Sequence, residues 1–208
     1  MAVLIDAAGP VRRGLVSLSA LATGAILAFF ASSSLFGAPS YSEDSVKAAY
    51  LYRFTQYIEW PDAAPANLPF TIAVLDAPDV AAELRRILPG HRIKNSVAQV
   101  REIARIQDLG PSQMLYIGSA QIDRVRNAVA ALTARPVLVV TDAERGLAAG
   151  SVLNFVRLEH RVRFEVSLAA ADRFGLRISA ELLGVATRVE PVDHQSGIAK
   201  TLTDVAGD

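Results

Sequence analysis

The sequence of 208 residues contains no cysteine. Without thiols the chain cannot form a disulfide, an iron–sulfur cluster or a thiolate nucleophile. Its charge has no excess of one sign either, because 21 basic residues balance 21 acidic ones. Proteins that bind nucleic acids gain affinity from clustered lysine and arginine, so we expect no nucleic-acid partner.

The sequence also lacks the motifs of common enzymes. No Gly-x-Ser-x-Gly elbow, no Gly-Lys-Ser/Thr phosphate loop and no Gly-x-Gly-x-x-Gly fingerprint occurs. The histidines at positions 91, 160 and 194 are far apart, which predicts neither a metal site nor another cofactor. Asp142 and Glu144 follow a strand, but we expect Asp142 to cap the next turn. We therefore predict no catalytic residue and no enzymatic activity.

The first forty residues are typical of an export signal. Arg12 and Arg13 precede an uncharged run over residues 14–31, and small residues follow it. We predict a signal peptide over residues 1–38. The alternative is an uncleaved anchor, since 18 uncharged residues reach the lower limit of about 17–25 for a spanning helix.

The part that remains, residues 42–190, is predicted to be one domain that opens with a helix. Ser42 is suited to cap this helix, which should end near Ile58, before Pro61. Apolar residues at three- and four-residue spacing form one stripe: Val46, Ala49, Tyr50, Phe54, Tyr57 and Ile58. We expect Tyr50 and Phe54 in the core, whereas Tyr57 and Trp60 could be core or surface.

Short apolar runs then alternate with helical stretches. The predicted strands cover residues 70–75, 114–117 and 137–140, with a further strand within 92–100, and the predicted helices cover 80–88 and 122–133. Such alternation predicts an α/β fold with a largely parallel sheet flanked by helices on both faces.

The sequence of the last third of the domain predicts an antiparallel hairpin followed by a closing helix. Strands over 151–158 and 161–167 flank Glu159-His160, a turn pair that does not favour positive φ, so a longer loop with the same register is the alternative. The register places these pairs opposite each other: Phe155 and Phe164, Asn154 and Glu165, Val156 and Arg163. The closing helix should cover 179–189, and residues 191–208 are predicted to be a disordered tail.

The hairpin carries charges on one face. Arg163 and Glu165 lie two residues apart there, with Asn154 opposite Glu165. They are either a solvated charge pair, which residue statistics favour, or a recognition surface.

Four segments of this sequence resemble one known family. Residues 46–61 read VKAAYLYRFTQYIEWP, 150–156 read GSVLNFV, 162–171 read VRFEVSLAAA and 175–183 read GLRISAELL. In this order they resemble the YfiR/HmsC family, whose members open with a "VKAAFLYNFxxFxEWP"-like helix. The resemblance spans residues 45–189.

The resemblance implies a periplasmic protein that binds and represses the periplasmic sensor domain of an inner-membrane diguanylate cyclase, or of another membrane sensor protein. Such a protein lowers cyclic-di-GMP and biofilm formation. The resemblance also implies an α/β fold and a homodimer. Many members carry Cys-His where this chain has Ser112-Gln113, and the motif Asn is Ser167 here. A thiol-based redox switch is therefore excluded in this chain.

Two binding hypotheses follow. For partner binding we expect a surface formed by Tyr57, Trp60, Asn154, Arg163 and Glu165. The alternative function is a periplasmic small-ligand binding protein that feeds a membrane receptor or kinase, with Tyr50, Phe54 and Phe155 lining its pocket. The sequence identifies neither the partner nor the ligand.

Overall fold

The computed structural model describes residues 41–61, 68–118, 121–132 and 135–192. The predicted signal peptide lies outside the described residues, and so does the predicted tail beyond residue 192. Within the described ranges, no helix is long and apolar enough to span a bilayer.

The described residues form five helices and ten strands. The helices are α1 (Glu43–Tyr57), α2 (Pro78–Ile87), α3 (Ile122–Ala131), α4 (Leu168–Arg173) and α5 (Ala180–Gly184). The strands are β1 (Ile58–Glu59), β2 (Phe70–Leu75), β3 (Arg92–Ile93), β4 (Ser96–Ile103), β5 (Met114–Ile117), β6 (Leu138–Thr141), β7 (Leu153–Leu158), β8 (Arg161–Ser167), β9 (Arg177–Ile178) and β10 (Arg188–Glu190). Two 3-10 turns cover Ile106–Asp108 and Leu147–Ala149.

Eight strands form one sheet in the order β10-β8-β7-β6-β5-β2-β4-β3. Neighbouring strands are parallel except for the pairs β7–β8 and β3–β4. Strands β1 and β9 pair separately and antiparallel. The predicted largely parallel α/β sheet with a C-terminal antiparallel hairpin is therefore confirmed.

Helices cover both faces of this sheet. On one face, the Phe54 ring of α1 stacks on Phe155, with 5.7 Å between ring centroids. Asn154 points to the opposite face, because successive strand residues alternate. There the second 3-10 turn lies over Asn154, and α3 packs on that turn. Every residue of β2, β5 and β6 is buried, as expected for strands covered on both sides.

Helix α1 has its predicted bounds but buries a different side. The Ser42 side chain accepts a hydrogen bond from the Ser45 backbone N–H, which confirms the predicted cap. The buried residues of α1 are Lys47, Ala48, Leu51, Phe54 and Thr55. Most of the predicted stripe is half-buried or exposed, since α1 is apolar around much of its circumference and spacing alone cannot select the core side.

The β7–β8 hairpin has the predicted register, with Phe155 opposite Phe164 and Asn154 opposite Glu165. A two-residue turn joins the strands, so the alternative of a longer loop is wrong. Glu159 and His160 adopt φ values of 49° and 60° in this turn. Both lie in the left-handed region, the conformation that a tight hairpin demands of its two central residues.

The end of the domain differs from its prediction. Helix α5 ends at Gly184 and does not extend to residue 189. The chain then forms β10, which pairs in parallel with β8. Thr187 begins this pairing, because its backbone N–H and its hydroxyl both donate to the Phe164 carbonyl oxygen. Helix α4 was not predicted.

Candidate binding surface

An open groove of about 660 Å³ lies between α1 and α5, with Phe164 of β8 contributing to its lining. We name it the aromatic groove. Its lining residues are Tyr41, Ser45, Val46, Ala49, Tyr50, Arg53, Phe54, Tyr57, Phe164, Glu181, Leu182 and Val185. The groove thus receives the side of α1 that the predicted stripe assigned to the core.

Aromatic rings in tilted and edge-to-face contact support the groove. Tyr50 lies 5.8 Å from Phe54, 5.8 Å from Phe164 and 5.9 Å from Phe155, measured between ring centroids. Of the three predicted pocket residues, Tyr50 and Phe54 line the groove. Phe155 is buried beside them and lines a separate cavity of about 190 Å³. Interlocked rings of this kind resist rearrangement, so the surface is preorganised.

The groove exposes large apolar side chains to water. Tyr41 is 75% exposed and Val185 is 67% exposed, and both are among the lining residues. Single exposed apolar residues are ordinary, but a contiguous apolar patch beside an open groove marks an interaction site.

A second cavity of about 520 Å³ adjoins the aromatic groove and shares Tyr41, Val46 and Tyr50 with it. We name it the basic cavity, because its remaining lining includes Arg157, His160, Arg161 and Arg163. Arg157 pairs with Glu43. Within the described ranges, neither Arg161 nor Arg163 forms an ion pair, and the hairpin register places both side chains on the same face of the sheet as Asn154.

The structure brings two of the predicted partner residues to this surface. Tyr57 is half-buried at the C-terminal end of α1 and lines the aromatic groove. Arg163 is half-buried and contributes to the lining of the adjoining basic cavity, while the hairpin register places its side chain on the Asn154 face of the sheet.

Asn154 and Glu165, by contrast, are 2% and 8% exposed. Thr141 donates its hydroxyl hydrogen to Asn154 Oδ1 at 2.7 Å, and Asn154 Nδ2 donates to Glu165 Oε1 at 3.0 Å. Arg188 completes the chain with a 3.0 Å hydrogen bond to Glu165 Oε2. Glu165 is therefore neither a solvated partner of Arg163 nor part of a surface, and this corrects both interpretations of the polar face.

Trp60 is half-buried and packs against the core. Its indole Nε1 donates to the Gln113 carbonyl oxygen at 3.1 Å, and its ring meets Phe70 edge to face at 5.2 Å. Gln113 Oε1 in turn accepts the Thr71 backbone N–H at 2.8 Å. Gln113 thus joins Trp60 to the starts of β2 and β5.

A buried ion pair lies at the other end of α1. Lys47 Nζ lies 2.6 Å from Asp142 Oδ2 and 2.8 Å from Glu43 Oε1, and Tyr116 donates its hydroxyl to Asp142 Oδ2 at 2.8 Å. Burial, and next the Asp142 charge, raise the pKa of Tyr116. The prediction that Asp142 caps a turn is wrong, since its carboxylate binds Lys47 and Tyr116.

Among the described residues, no cluster of three or more His, Asp or Glu side chains could hold a metal ion. Asp142 Oδ1 is buried without a hydrogen-bond partner there.

Sequence reasoning missed the groove wall formed by Glu181, Leu182 and Val185. Their short helix reaches α1 through tertiary packing, and no local pattern encodes that contact. The basic residues of the hairpin were visible in the sequence as a cluster from Arg157 to Arg163, which was a usable signal.

Comparison with known proteins gives one family match. A family model described as YfiR/HmsC-like matches residues 44–187. Among solved structures, a conserved domain protein from Vibrio cholerae O1 biovar El Tor strain N16961 is similar, with a TM-score of 0.49 and 12% identity. The similarity covers 72% of this chain and 60% of that one. The search of curated proteins found no match.

Proposed function

The chain belongs to the YfiR/HmsC-like family, and we propose that it is a periplasmic signalling regulator that binds and represses the periplasmic sensor domain of an inner-membrane diguanylate cyclase. The family is one of regulatory periplasmic proteins and is known in cyclic-di-GMP regulation. Repression by this chain would lower cyclic-di-GMP and biofilm formation.

The observation that carries this proposal is the continuity of the aromatic groove with the basic cavity. Together they offer a partner apolar anchor points on a preorganised surface that adjoins the arginine-rich end of the hairpin. Anchors of this kind supply most of the affinity in protein interfaces. To repress, the chain must bind the inactive state of the sensor domain more tightly than the active state, because equal affinity would shift nothing.

The test measures cellular cyclic-di-GMP and co-purification of the sensor domain. Deletion of the gene should raise cyclic-di-GMP, and the native chain should restore the low level. Tyr57→Ala and Arg163→Glu should bind the sensor domain at least tenfold more weakly and fail to restore it.

Matched controls lie elsewhere on the same elements. Tyr52 packs against His91, away from the groove, so Tyr52→Ala should restore repression. Arg126→Glu, at an exposed position of α3, should do the same. Repression that survives Tyr57→Ala and Arg163→Glu would contradict the proposed surface, and unchanged cyclic-di-GMP after deletion would contradict the function.

A second candidate function is small-ligand binding, with the chain feeding a membrane receptor or kinase. The volume of the groove favours it, since ligand pockets occupy roughly 300–1,000 Å³. Thermal unfolding with periplasmic metabolites should then show ligand-dependent stabilisation. The exposed Ala49 gives the control, because Ala49→Trp would fill the groove and abolish the shift.

The homodimer remains part of the proposal. Sedimentation of the mature chain over a range of concentrations tests it, with a single monomeric species as the contrary outcome.

A further inference from the structure

The outer side of β4 is mostly uncovered. Beyond β4 the large sheet contains only the short strand β3, which pairs with the first two residues of β4, Ser96 and Val97. The His91 carbonyl oxygen then accepts the Ala98 backbone N–H at 3.2 Å. Among the described residues, no strand pairs with the outer side of residues 99–103.

The backbone groups of β4 alternate in direction. In a strand, the N–H and C=O of one residue point to one neighbouring strand, and those of the next residue point to the other side. The Ala98 N–H points outwards, so Val100 and Glu102 also point outwards, whereas Gln99 and Arg101 point to β2. Within the described ranges, the backbone groups of Val100 and Glu102 have no hydrogen-bond partner. Two donors and two acceptors are therefore free for an incoming strand.

The side chain of Glu102 adds a charge beside these groups. Its Oε2 lies 2.9 Å from Arg85 Nη2 of α2, and 44% of the side chain is exposed. Its other oxygen, Oε1, accepts no hydrogen bond in the described part of the chain. A cation on an added strand can therefore reach this carboxylate, as cross-strand neighbours do in sheets.

A second copy of β4 is a poor occupant of this edge. Antiparallel strands pair outward residues with outward residues, so a twofold axis would pass through Val100, Arg101 or Glu102. With Val100 on the axis, Glu102 of the second copy would lie opposite Ala98, whose outer side is already taken by His91. With either charged residue on the axis, like charges would lie directly opposite each other, which is destabilising.

We propose that the outer side of β4 binds an extended segment of another protein, which joins the sheet as an antiparallel strand along residues 99–103. The segment places a lysine or arginine opposite Glu102 and an apolar, β-branched residue opposite Val100. Main-chain hydrogen bonds supply the affinity of such strand addition, and side chains supply its specificity. The antiparallel direction continues that of β3 and gives the more stable pairing.

This site is separate from the surface of the proposed function. Four strands lie between β4 and β8, the strand that contributes to the aromatic groove. The inference therefore does not rest on the proposed function. Binding at β4 and repression through the groove are measured independently.

The probe is a peptide with capped ends and the central sequence Thr-Lys-Thr-Val-Thr, designed to place its lysine opposite Glu102 and its valine opposite Val100. One version carries N-methyl groups on the lysine and valine nitrogens, which removes the donors that face β4. The control version carries them on the two threonines that follow these residues, where the N–H groups face away. Fluorescence anisotropy should show at least tenfold weaker binding of the first version and unchanged binding of the second.

Hydrogen exchange of the native chain locates the added strand. In saturating peptide, the backbone amides of Val100 and Glu102 should exchange at least tenfold more slowly. The amides of Gln99 and Arg101 are the internal control, because they already bond to β2 and their exchange should change little.

Glu102→Lys tests the charge. The native chain should bind the lysine peptide about two- to fivefold more tightly than a peptide with glutamate at that position, and Glu102→Lys should reverse this preference. Asp123 is exposed on α3, so Asp123→Lys is the matched control and should keep the native preference.

Several outcomes would overturn the inference. One is equal binding of the two methylated peptides, and another is unchanged exchange at Val100 and Glu102 at millimolar concentrations of the unmethylated peptide. Protection of the same two amides by dimerisation, with no peptide bound, would assign the edge to a second copy of the chain. The methylated peptides are tested on the native chain, so none of these results depends on the folding of a variant.

Discussion

Lys47 Nζ lies 2.6 Å from Asp142 Oδ2, and both side chains are nine-tenths buried. The pair joins the first turns of α1 to the carboxyl end of β6. Because α1 forms a wall of the aromatic groove, this contact also fixes where that wall lies. Burying two charges is costly. A second carboxylate from Glu43, which pairs with Lys47, and the hydroxyl hydrogen that Tyr116 donates to Asp142 offset this cost.

Removing one partner of this pair should be strongly destabilising. Lys47→Met leaves the Asp142 carboxylate buried without its cation, and we expect the free energy of unfolding to fall by about 3–5 kcal/mol. Urea denaturation at pH 7 measures it. The exposed pair of Arg86 and Glu83 is the control, since Arg86→Ala should cost less than about 1 kcal/mol. Equal losses in the two variants would contradict the importance of burial.

Tyr116 should give the chain an alkaline limit to its stability. Its folded pKa is raised above the unfolded value of about 10, so above pH 10 the unfolded state loses a proton that the folded state keeps. The stability that the protonated Tyr116 hydroxyl adds to the folded state is complete below pH 10. Above pH 10 this added free energy of unfolding falls by up to about 1.4 kcal/mol per pH unit.

Tyr116→Phe separates the hydroxyl from the ring. We expect a loss of about 2 kcal/mol at pH 7, because a hydrogen bond to a charged group disappears. Between pH 10 and 11 the variant should lose stability less steeply than the native chain in urea titrations. Parallel slopes would show that other groups cause the alkaline limit.

Substitutions of Glu165 and of Arg163 should have different effects, although the two residues are close in sequence. The first should lower stability, and the second should weaken partner binding. Glu165→Ala leaves the Asn154 amide without its acceptor in the interior, so we expect a loss of about 1–3 kcal/mol in unfolding free energy. Partner binding should weaken only as far as folded protein is lost. Arg163→Glu should leave the unfolding midpoint nearly unchanged and abolish binding. A binding defect in fully folded Glu165→Ala would contradict this division.

The hairpin turn offers a stabilising change. Glu159 and His160 occupy the left-handed region, which costs a residue other than glycine about 1–2 kcal/mol. The double variant Glu159→Asn/His160→Gly supplies the residues that this turn favours, and it should gain about 1 kcal/mol. Calorimetry should then show a rise of about 2–4 °C in Tm. Glu159→Val is the opposite control and should lower Tm.

Local signals explain which elements could be predicted. Ser42 and Pro61 delimit α1, and the apolar runs of β2 and β5 stand between polar segments, so their bounds follow from the sequence. The hairpin register follows from the position of the Glu159-His160 turn, and the polar/apolar alternation of β8 agrees with it. Strand β10 could not be predicted, because Arg188–Glu190 is polar and becomes a strand only by pairing with β8.

The candidate site was predictable only in part. Tyr50, Phe54 and Tyr57 were identified from helical spacing. Spacing did not show that one side of α1 packs into the core while another side lines the aromatic groove. Burial of Lys47 depends on Asp142, 95 residues away in the sequence. Long-range partners of this kind decide which polar residues are internal, and Asn154 and Glu165 were misplaced for the same reason.

One margin of the large sheet is only partly covered. Strand β3 has two residues and pairs with Ser96 and Val97 of β4, so residues 99–103 of β4 have no strand partner on their outer side among the described residues. A row of backbone groups of this kind can accept an added extended chain. If this domain assembles edge to edge with a second copy, the backbone of β4 is therefore the place where the two sheets would join.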